Sequence, residues 1–256
     1  MLARLPTRTT TRAPGGRTNA YLVGRSSALL VDPPAPDDAI DAALADRTVA
    51  HLAVTHTHPD HVGGVAHYAA ETGATVWAHE RHAGRFERAT GVAPDRTFRE
   101  GTVIPADRPV AVVETPGHAR DHVAFALDDG ALVGDLAVAS GSVFVGPRDG
   151  DMRAYLTALR RLHARDLDAL YPGHGPVIEA PRTRLADLVA HRRDRERRVR
   201  AAVRDGACTL DEILDRSYEK DLTGVRDLAG RTVAAHLEKL AVEGAVTWDG
   251  ERAAPT

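Results

Sequence analysis

The chain is poor in cysteine and in lysine, and each shortage excludes a class of site or partner. Cys208 is the only cysteine among 256 residues, which excludes an intramolecular disulfide framework and a four-cysteine zinc site. Any metal must therefore be held by histidine and carboxylate. Lys220 and Lys239 are the only lysines, and the formal charge of −3 indicates no general attraction to nucleic acid or to anionic membranes.

Long apolar runs are also missing from the sequence. No stretch is long enough to span a bilayer, and residues 1–16 lack the apolar core of an export signal. We therefore expect a cytoplasmic protein with no membrane partner. A chain of 256 residues has room for a domain of about 180 residues and a second, smaller one.

Short apolar runs alternate with turn residues and helical patterns over the first 180 residues. We predict strands at residues 21–23, 28–32, 52–54, 74–78, 109–113, 122–127, 131–133, 142–145 and 169–171. We predict helices at residues 37–45, 61–70 and 151–163, with one short helix between residues 80 and 97. Strands in two sets with helices between them predict a layered α/β domain at residues 1–180.

The remaining residues, 181–256, have a different pattern. We predict a helix at residues 185–204, a short helix that Thr209 and Glu212 begin with a capping box, and a third helix at residues 225–242. Asp249 and Gly250 then predict a hairpin with a two-residue turn. Three helices closed by a hairpin are typical of a small winged-helix domain.

Three histidines and one aspartate crowd into six consecutive positions, at His56, His58, Asp60 and His61. They directly follow the apolar run 52–54, which places them in a loop at the end of a buried strand. His56 and His58 leave the same face of an extended segment and can bind one ion, whereas Asp60 and His61 follow Pro59 into a helix and point to a neighbouring position. Imidazole and carboxylate together are the usual ligands of Zn²⁺.

Three more loops offer the same kinds of ligand. His118, Asp135 and His174 each follow an apolar run and a glycine, which lets the backbone approach an ion closely. Each of them taken singly is as well explained by a turn or by a buried polar role. Together with the loop at residues 55–64, they predict a metal centre built from four strand ends.

In their order and spacing these motifs resemble those of the metallo-β-lactamase-fold hydrolases. The resemblance implies an αββα four-layer sandwich with the metal site along one edge of its sheets. It also implies a ligand set: His56, His58 and His118 for a first ion, then Asp60, His61 and His174 for a second, with Asp135 bridging the two. Pro33-Pro34 departs from the family, which usually has a glycine shortly after the aspartate at this point.

Within that family, residues 115–122, Gly134-Asp135, residues 172–178 and the helical C-terminal region are similar to the β-lactamase-like protein 2 group. The catalytic part also resembles glyoxalase II, whose C-terminal region is of another kind. A histidine at position 58 argues against the di-iron oxygen-reducing branch, which carries glutamate there. The absence of a cysteine ligand argues against the commonest subclass of true β-lactamases.

The ligand set predicts a binuclear hydrolase with two Zn²⁺ ions per chain, for which iron or manganese are the alternatives. Two ions about 3.5–4 Å apart share a water and lower its pKa to about 7, so that a bridging hydroxide is available at neutral pH. Asp60 is predicted to be a ligand of the second ion. With only one ion bound, Asp60 would instead act as a general base. We also expect positions 63 and 64 to be glycine because ions packed against the start of the helix leave little room for side chains.

Our first hypothesis is a hydrolase of a small ester, thioester or lactone, with a homodimer as a possible assembly. The alternative is a metal-dependent endoribonuclease for single-stranded RNA. It draws on the resembled group and on six arginines in residues 192–200, although Asp194 and Glu196 favour a solvated, salt-bridged helix there. A DNA-binding regulator is a third reading, but residues 225–242 are not basic enough for a recognition helix.

Two further residues have open roles. His122 lies close to His118 in the sequence, where it could orient a ligand or contact the substrate; the alternative is a packing role in the core. Tyr155 could reach the site from its helix, but tyrosine at helical spacing is more often a core residue. The histidines at positions 51, 67, 79, 82, 163 and 236 are expected to be packing or surface residues.

Overall fold

The computed structural model describes residues 1–256. By its contacts the chain divides into two compact units, each built from three segments. The first unit comprises Met1–Glu114, Asp121–Gly141 and Asp166–Pro181, and the second comprises Thr115–Arg120, Ser142–Arg165 and Arg182–Thr256. These limits differ from a single cut at residue 180. The assignment of a catalytic domain to residues 1–180 and of a winged helix to residues 181–256 stays a prediction.

A six-stranded sheet forms one layer of the first unit. Its strands, in spatial order, are β1 (Leu2–Arg8), β2 (Arg17–Val23), β3 (Ala28–Val31), β4 (Val49–Ala53), β5 (Thr75–His79) and β6 (Arg96–Phe98). The first three strands pair antiparallel, and β3 to β6 pair parallel. The parallel half therefore directs the carboxyl ends of β3, β4 and β5 to one edge.

A five-stranded sheet forms the second β layer. Its strands are β7 (Val103–Pro105), β8 (Pro109–Glu114), β9 (Val123–Ala126), β10 (Gly130–Gly134) and β11 (Ala169–Pro172), in the spatial order β11-β10-β9-β8-β7. Only β10 and β11 pair parallel. The loops that follow these two strands therefore lie side by side, and they carry Asp135 and His174.

The inner faces of the two sheets pack on each other through one apolar cluster. Leu29, Val31 and Ala53 from the first sheet belong to it, together with Val112 and Phe125 from the second. These side chains are almost completely buried. Alternate residues of the same strands point the other way, which gives the four middle strands β2 to β5 two buried faces.

Four helices cover the outer face of the first sheet. They are α1 (Asp38–Leu44), α2 (Pro59–Val62), α3 (Val65–Thr72) and α4 (Ala83–Thr90). Their buried apolar residues are Ile40, Val62, Val65, Tyr68 and Phe86. The Asp37 side chain accepts a hydrogen bond from the Ala39 amide and so begins α1, as predicted. The helix predicted at residues 61–70 is divided, because α2 ends before Gly63 and α3 begins after Gly64.

The second unit is mainly helical. Its helices are α5 (Met152–His163), α6 (Pro181–Arg204), α7 (Leu210–Ser217) and α8 (Arg226–Val242), followed by the strands β12 (Val246–Trp248) and β13 (Ala253–Pro255). Val199, Ile213, Val233 and Leu237 share its apolar cluster with Val246. The capping box of Thr209 and Glu212 forms as predicted. None of the helices in the chain is both long enough and apolar enough for a membrane span.

Two local predictions for the second unit are wrong. The final hairpin has a four-residue connection at residues 249–252, because the Asp249 carboxylate accepts from the Glu251 and Arg252 amides and so holds a wider turn. Residues 142–145 form no strand. Side chains take up their carbonyls instead: Val143 accepts from Arg192, and the Phe144 oxygen lies 2.7 Å from Nδ1 of His118.

Candidate metal centre

Four strand ends of the first unit bring polar side chains to one place. Asp32 follows β3 and His56 follows β4, which are parallel neighbours in the first sheet. Asp135 follows β10 and His174 follows β11, which are parallel neighbours in the second sheet. The carboxyl ends of parallel strands are where open α/β sheets place their ligand sites.

His61 lies at the centre of this cluster and is fully buried, with 0% of its side chain exposed. Its Nδ1 is 3.0 Å from Oδ2 of Asp32, so the proton on the ring has a fixed acceptor. Its Nε2 is 3.6 Å from Oδ1 of Asp135 and has no hydrogen-bond partner. A buried ring nitrogen without a partner is costly unless it binds something.

Asp60, Asp135 and His174 surround the free side of that ring. Nε2 of His174 lies 3.3 Å from Oδ1 of Asp135 and 3.6 Å from Oδ2 of Asp60. The ligand atoms of Asp60, His61 and His174 all lie within 4.8 Å of one another, and the same holds for His56, His61 and Asp135. Six of the seven predicted ligands therefore belong to the first unit, five of them in these two groups.

The sixth of them, His58, lies next to His56. Their rings are in edge contact, and His56 Nε2 is 3.0 Å from His58 Nδ1. The side chains leave the chain in the same direction, as expected for alternate residues of an extended segment. The two imidazoles thus form a pair that one ion could bind.

The carboxylates determine the electrostatics of the cluster. Burial lowers the pKa of His61, but the charges of Asp135, Asp32 and Asp60 outweigh burial and raise that pKa to about 9. Burial likewise lowers the pKa of His174, and the hydrogen bond and charge of Asp135 raise it above its usual value. A negative potential that holds protons on imidazoles also favours a divalent cation, which competes for the same nitrogens.

Asp32 supports the cluster, although the residue pattern alone did not place it there. Its carboxylate accepts from the Thr55 amide at 2.6 Å and from the Thr55 hydroxyl at 2.7 Å, besides contacting His61. Asp32 is one of two non-glycine residues with a positive φ, at 51°. That conformation is uncommon outside glycine and turns the carboxylate under the histidine loop.

A second group of residues supports the histidine loop, and nothing in the sequence pattern predicted it. The buried Asp121 accepts from the Thr57 amide at 3.1 Å and from the Thr57 hydroxyl at 2.6 Å. Nε of Arg85 in α4 lies 2.6 Å from the same hydroxyl oxygen and 3.5 Å from the Asp121 carboxylate. Because Thr57 separates His56 from His58, this trio, Arg85, Thr57 and Asp121, fixes the peptide that sets the spacing of the pair.

His122 orients a candidate ligand rather than only packing in the core. Its Nε2 accepts a hydrogen bond from the Asp135 amide at 3.1 Å, and its ring centroid is 5.2 Å from that of His56. The ring is buried. Of the roles left open for His122, the contact with Asp135 favours the orienting one.

The loop that carries His174 is held from below by β2. The Asn19 amide group donates to the carbonyls of Pro172 and Gly175 at 2.8 and 2.9 Å, and the Tyr21 hydroxyl donates to Pro172 at 2.7 Å. Nδ1 of His174 lies 2.8 Å from the Arg17 carbonyl. That contact fixes the ring so that Nε2 points to the carboxylates.

Three glycines allow the elements of the site to approach one another. A Cβ atom on Gly173 would lie 2.6 Å from Cε1 of His61 and 2.8 Å from Oδ1 of Asp135. The expected reason for Gly63 and Gly64 is wrong, because their neighbours are the backbone atoms of residues 33–35. The Gly64 amide donates to the Pro33 carbonyl at 2.9 Å. The backbone of Pro33 and Pro34 thus packs directly against Gly63 and Gly64.

His118 and Tyr155 belong to the second unit. His118 is buried, and its Nδ1 contact with the Phe144 carbonyl fixes the orientation of its ring. Tyr155 is completely buried in α5, with the guanidinium of Arg192 5.4 Å from its ring centre. Gly117 packs against the backbone of Tyr155. Tyr155 is therefore a core residue that supports the His118 loop.

The remaining histidines contact other partners. His51 lies 3.3 Å from Nε1 of Trp77, and His79 lies 3.3 Å from Glu114. His67 pairs with Glu71 and forms a group with Asp41, but all three are exposed and no other feature there indicates a ligand.

Residues 13–174 match a model of the metallo-β-lactamase superfamily. The chain belongs to the metallo-β-lactamase superfamily. The superfamily includes hydrolases, among them the thioesterases that resemble this chain. Its fold binds metal ions, and the His/Asp groups of the first unit are of the kind that holds them. The mixed α/β architecture with two sheets is the fold of this superfamily.

Two curated relatives narrow the comparison within the superfamily. The beta-lactamase-like protein 2 homolog of Caenorhabditis elegans is 26% identical over 90% of this chain and 80% of its own length. The atrochrysone carboxyl ACP thioesterase of Emericella nidulans is 27% identical over 90% of this chain and 71% of its own length. The predicted resemblance to the β-lactamase-like protein 2 group is confirmed by the first of these.

A solved structure covers the whole chain. A metallo-beta-lactamase family protein from Thermus thermophilus matches with a TM-score of 0.79 and 26% identity, over 100% of this chain and 98% of that one. The likeness therefore includes the helical C-terminal region as well as the superfamily domain.

Proposed function

We propose that the protein is a binuclear, zinc-dependent hydrolase of a small ester, thioester or lactone. The observation that carries the proposal is the group of Asp60, His61, Asp135 and His174, which is buried except for the partly exposed Asp60 and in which His61 Nε2 has no hydrogen-bond partner. Nitrogen and carboxylate donors without sulfur suit Zn²⁺, and they also suit iron or manganese.

The ligand assignment we propose is the one that the family resemblance implies. His56, His58 and His118 would hold a first ion, Asp60, His61 and His174 a second, and Asp135 would bridge them. Support comes from the pairing of His56 with His58 and from the two groups centred on His61. The complete αββα description and the winged-helix assignment of residues 181–256 are part of the same proposal.

The residues of the chain would hold the ions and orient the ligand rings, and the ions would supply the Lewis acidity. Bound divalent ions lower the pKa of water and polarise a carbonyl group. Asp32 holds Nδ1 of His61 and the Arg17 carbonyl holds Nδ1 of His174, so both rings present Nε2 to the same space. His122 fixes the backbone of Asp135. These supports determine the ring orientations before a substrate arrives.

The reaction we propose is hydrolysis at a carbonyl. Water adds to the carbonyl carbon, the bond to the leaving oxygen or sulfur breaks, and a proton passes to that leaving atom. A thioester thus gives a carboxylic acid and a thiol. Asp60 lies at the rim of the cluster and is partly exposed, and we propose it as a metal ligand that also faces the substrate. Thioesterases among the relatives favour thioesters within this class.

One preparation tests the proposal. The zinc-loaded protein is compared with Asp135→Ala, and with the exposed Asp128→Ala as the matched control, on an acyl-thioester, a lactone and a short single-stranded RNA. We expect metal-dependent hydrolysis of the thioester or lactone that Asp135→Ala abolishes and Asp128→Ala retains. Strong metal-dependent RNA cleavage with inert thioesters and lactones would overturn the proposal in favour of an endoribonuclease.

A further inference from the structure

A groove runs along the second unit between α5 and α6, with a volume of about 490 Å³. Its floor is small and apolar, formed by Ala186, Val189 and Ala190 of α6. Its rim is basic: Arg193 and Arg197 lie on the α6 side, and Arg160 and His163 on the α5 side. We call this feature the α5–α6 groove.

The spacing of the α6 residues places all of them on one face of the helix. Positions 186, 189, 190, 193 and 197 recur at three- and four-residue intervals. A different face of α6 is buried through Leu185, Leu188 and Val199. The groove face is therefore not used by the core of the second unit.

The rim charges are only partly neutralised. Arg197 pairs with Asp194 at 2.9 Å, but Arg160 and Arg193 are exposed and make no ion pair in the structure. By contrast, Arg192 and Arg195 on another face of α6 are buried, where they contact Tyr155 and Tyr218. The sequence pattern treats these arginines alike, whereas the structure gives them different partners.

The groove uses the same helix that supports the His118 loop. Gly117 packs against the backbone of Tyr155 in α5, and the Asp151 amide donates to the Gly117 carbonyl at 2.8 Å. With a rise of 1.5 Å per residue, Arg160 lies about 7.5 Å and His163 about 12 Å further along that helix. A macromolecule bound in the groove would be within reach of this loop.

We propose that the α5–α6 groove docks an acidic helix of a carrier protein that presents the acyl thioester substrate on a flexible arm; this inference rests on the proposed function. An apolar floor with basic rims complements an amphipathic helix whose small apolar face is flanked by carboxylates. Single-stranded RNA fits less well, because no aromatic side chain lines the groove for base stacking. A two-fold copy of the chain would bring arginine against arginine.

The test compares one acyl group on two carriers. The zinc-loaded protein hydrolyses octanoyl attached to a bacterial acyl carrier protein, or octanoyl attached to N-acetylcysteamine, which has no protein part. The variant Arg160→Glu with Arg193→Glu should lower kcat/KM for the protein-bound substrate by about tenfold or more, chiefly through KM, and leave the small thioester unchanged. Salt should produce the same selective loss in the wild type.

The matched control is Arg88→Glu with Arg204→Glu, two exposed arginines that do not line the groove and that give the same change in net charge. Equal losses in both double variants, or no loss in either, would overturn the docking proposal. The proposal would also be overturned if the groove variant bound a short RNA more weakly but hydrolysed the carrier-bound substrate as well as the wild type does. If the wild type hydrolyses neither thioester, the thioester part of the proposed function fails. Titration of the unacylated carrier then tests docking alone: weaker binding only in the groove variant supports docking, and equal binding in both variants overturns it.

Discussion

Two buried histidines, His61 in the first unit and His236 in the second, have opposite electrostatic surroundings. Both are completely shielded from solvent, with 0% of each side chain exposed. Burial disfavours the charged form of each ring. Around His61 the carboxylates of Asp135, Asp32 and Asp60 overcome burial and raise the pKa to about 9.

Around His236 the neighbours have the opposite effect. Burial lowers its pKa, and the nearby charges of Arg192 and Lys239 lower it further, against the contact with Glu196 that raises it. Glu196 itself forms an ion pair with Lys239 at 2.9 Å. Acid and base thus compensate one another here without any further ion.

The cluster around His61 is therefore suited to binding a ligand, whereas the cluster around His236 stabilises the fold. Both rings have a buried nitrogen without a hydrogen-bond partner, so that feature does not separate them. The charge balance does, because the carboxylates around His61 leave a negative excess that a cation would balance. The charged residues around His236 neutralise each other. Removing a residue should therefore impair metal binding in the first unit and stability in the second.

The largest effect is expected for His61→Ala, because His61 belongs to both groups of candidate ligands in the first unit. We expect loss of bound zinc and a fall in hydrolysis on the order of a hundredfold or more. Metal analysis and turnover of the same samples measure both. His67→Ala, an exposed histidine of α3, is the control; full zinc content in His61→Ala would remove His61 from the proposed ligands.

A smaller effect is expected for Asp121→Asn, which weakens the support under Thr57 without touching a proposed ligand. The His56 and His58 side chains should become less well oriented, and zinc affinity should fall by about tenfold. Competition with a chromogenic chelator measures this change. Asp128→Asn is the exposed control, and affinities within about twofold of each other for the two variants would show that the contact is only structural.

In the second unit, Lys239→Met should destabilise the fold and leave zinc affinity unchanged. The variant leaves Glu196 partly buried without its main cationic partner, at a cost of about 2 kcal/mol in the free energy of unfolding. Burial raises the pKa of Glu196, but His236 and Lys239 hold it below its usual value. The pair therefore stabilises the fold above about pH 4.5, and the difference from wild type should shrink as the pH falls through the lowered pKa.

Denaturant unfolding at several pH values measures that difference. Lys220→Met, which changes the other lysine of the chain, is the control. Reduced zinc affinity in Lys239→Met at unchanged stability would contradict the division between the two clusters.

The smallest effect is expected for Glu212→Gln at the start of α7. The Glu212 carboxylate accepts from the Cys208 and Thr209 amides, which lower its pKa to about 2. Its stabilisation should be complete above the normal glutamate range and be lost as the pH falls towards 2. Thermal unfolding of Glu212→Gln and of the control Glu251→Gln, followed from pH 7 to pH 2.5, should show a gap that narrows only for the first.

The sequence was sufficient to locate most of the candidate site because each ligand stands beside a local signal. His56, Asp135 and His174 all follow apolar runs that form strands, and parallel pairing then brings the strand ends together. The helix starts at Asp37, Asp151 and Thr209 were predictable for the same reason, since capping residues act within a few positions of themselves.

What the sequence could not indicate depends on contacts between distant positions. Asp121 and Thr57 are 64 residues apart, and nothing near either one identifies the other. The positive φ of Asp32 is set by the loop around it, not by its residue type. β1 was missed because its seven residues are mostly half-buried, polar or proline, and pairing with β2 decides their conformation.

The close backbone contact between residues 33–35 and the glycine pair Gly63-Gly64 limits how this enzyme could be redesigned. A side chain at position 63 would meet the Pro34 carbonyl, and one at position 64 would lie 3.0 Å from the backbone of Pro33 and Ala35. Randomising position 63 or 64 alone should therefore return glycine in most surviving clones. A library aimed at new substrates should spare residues 33–35 and 63–64 and place its diversity in the loops that lie outside this backbone contact.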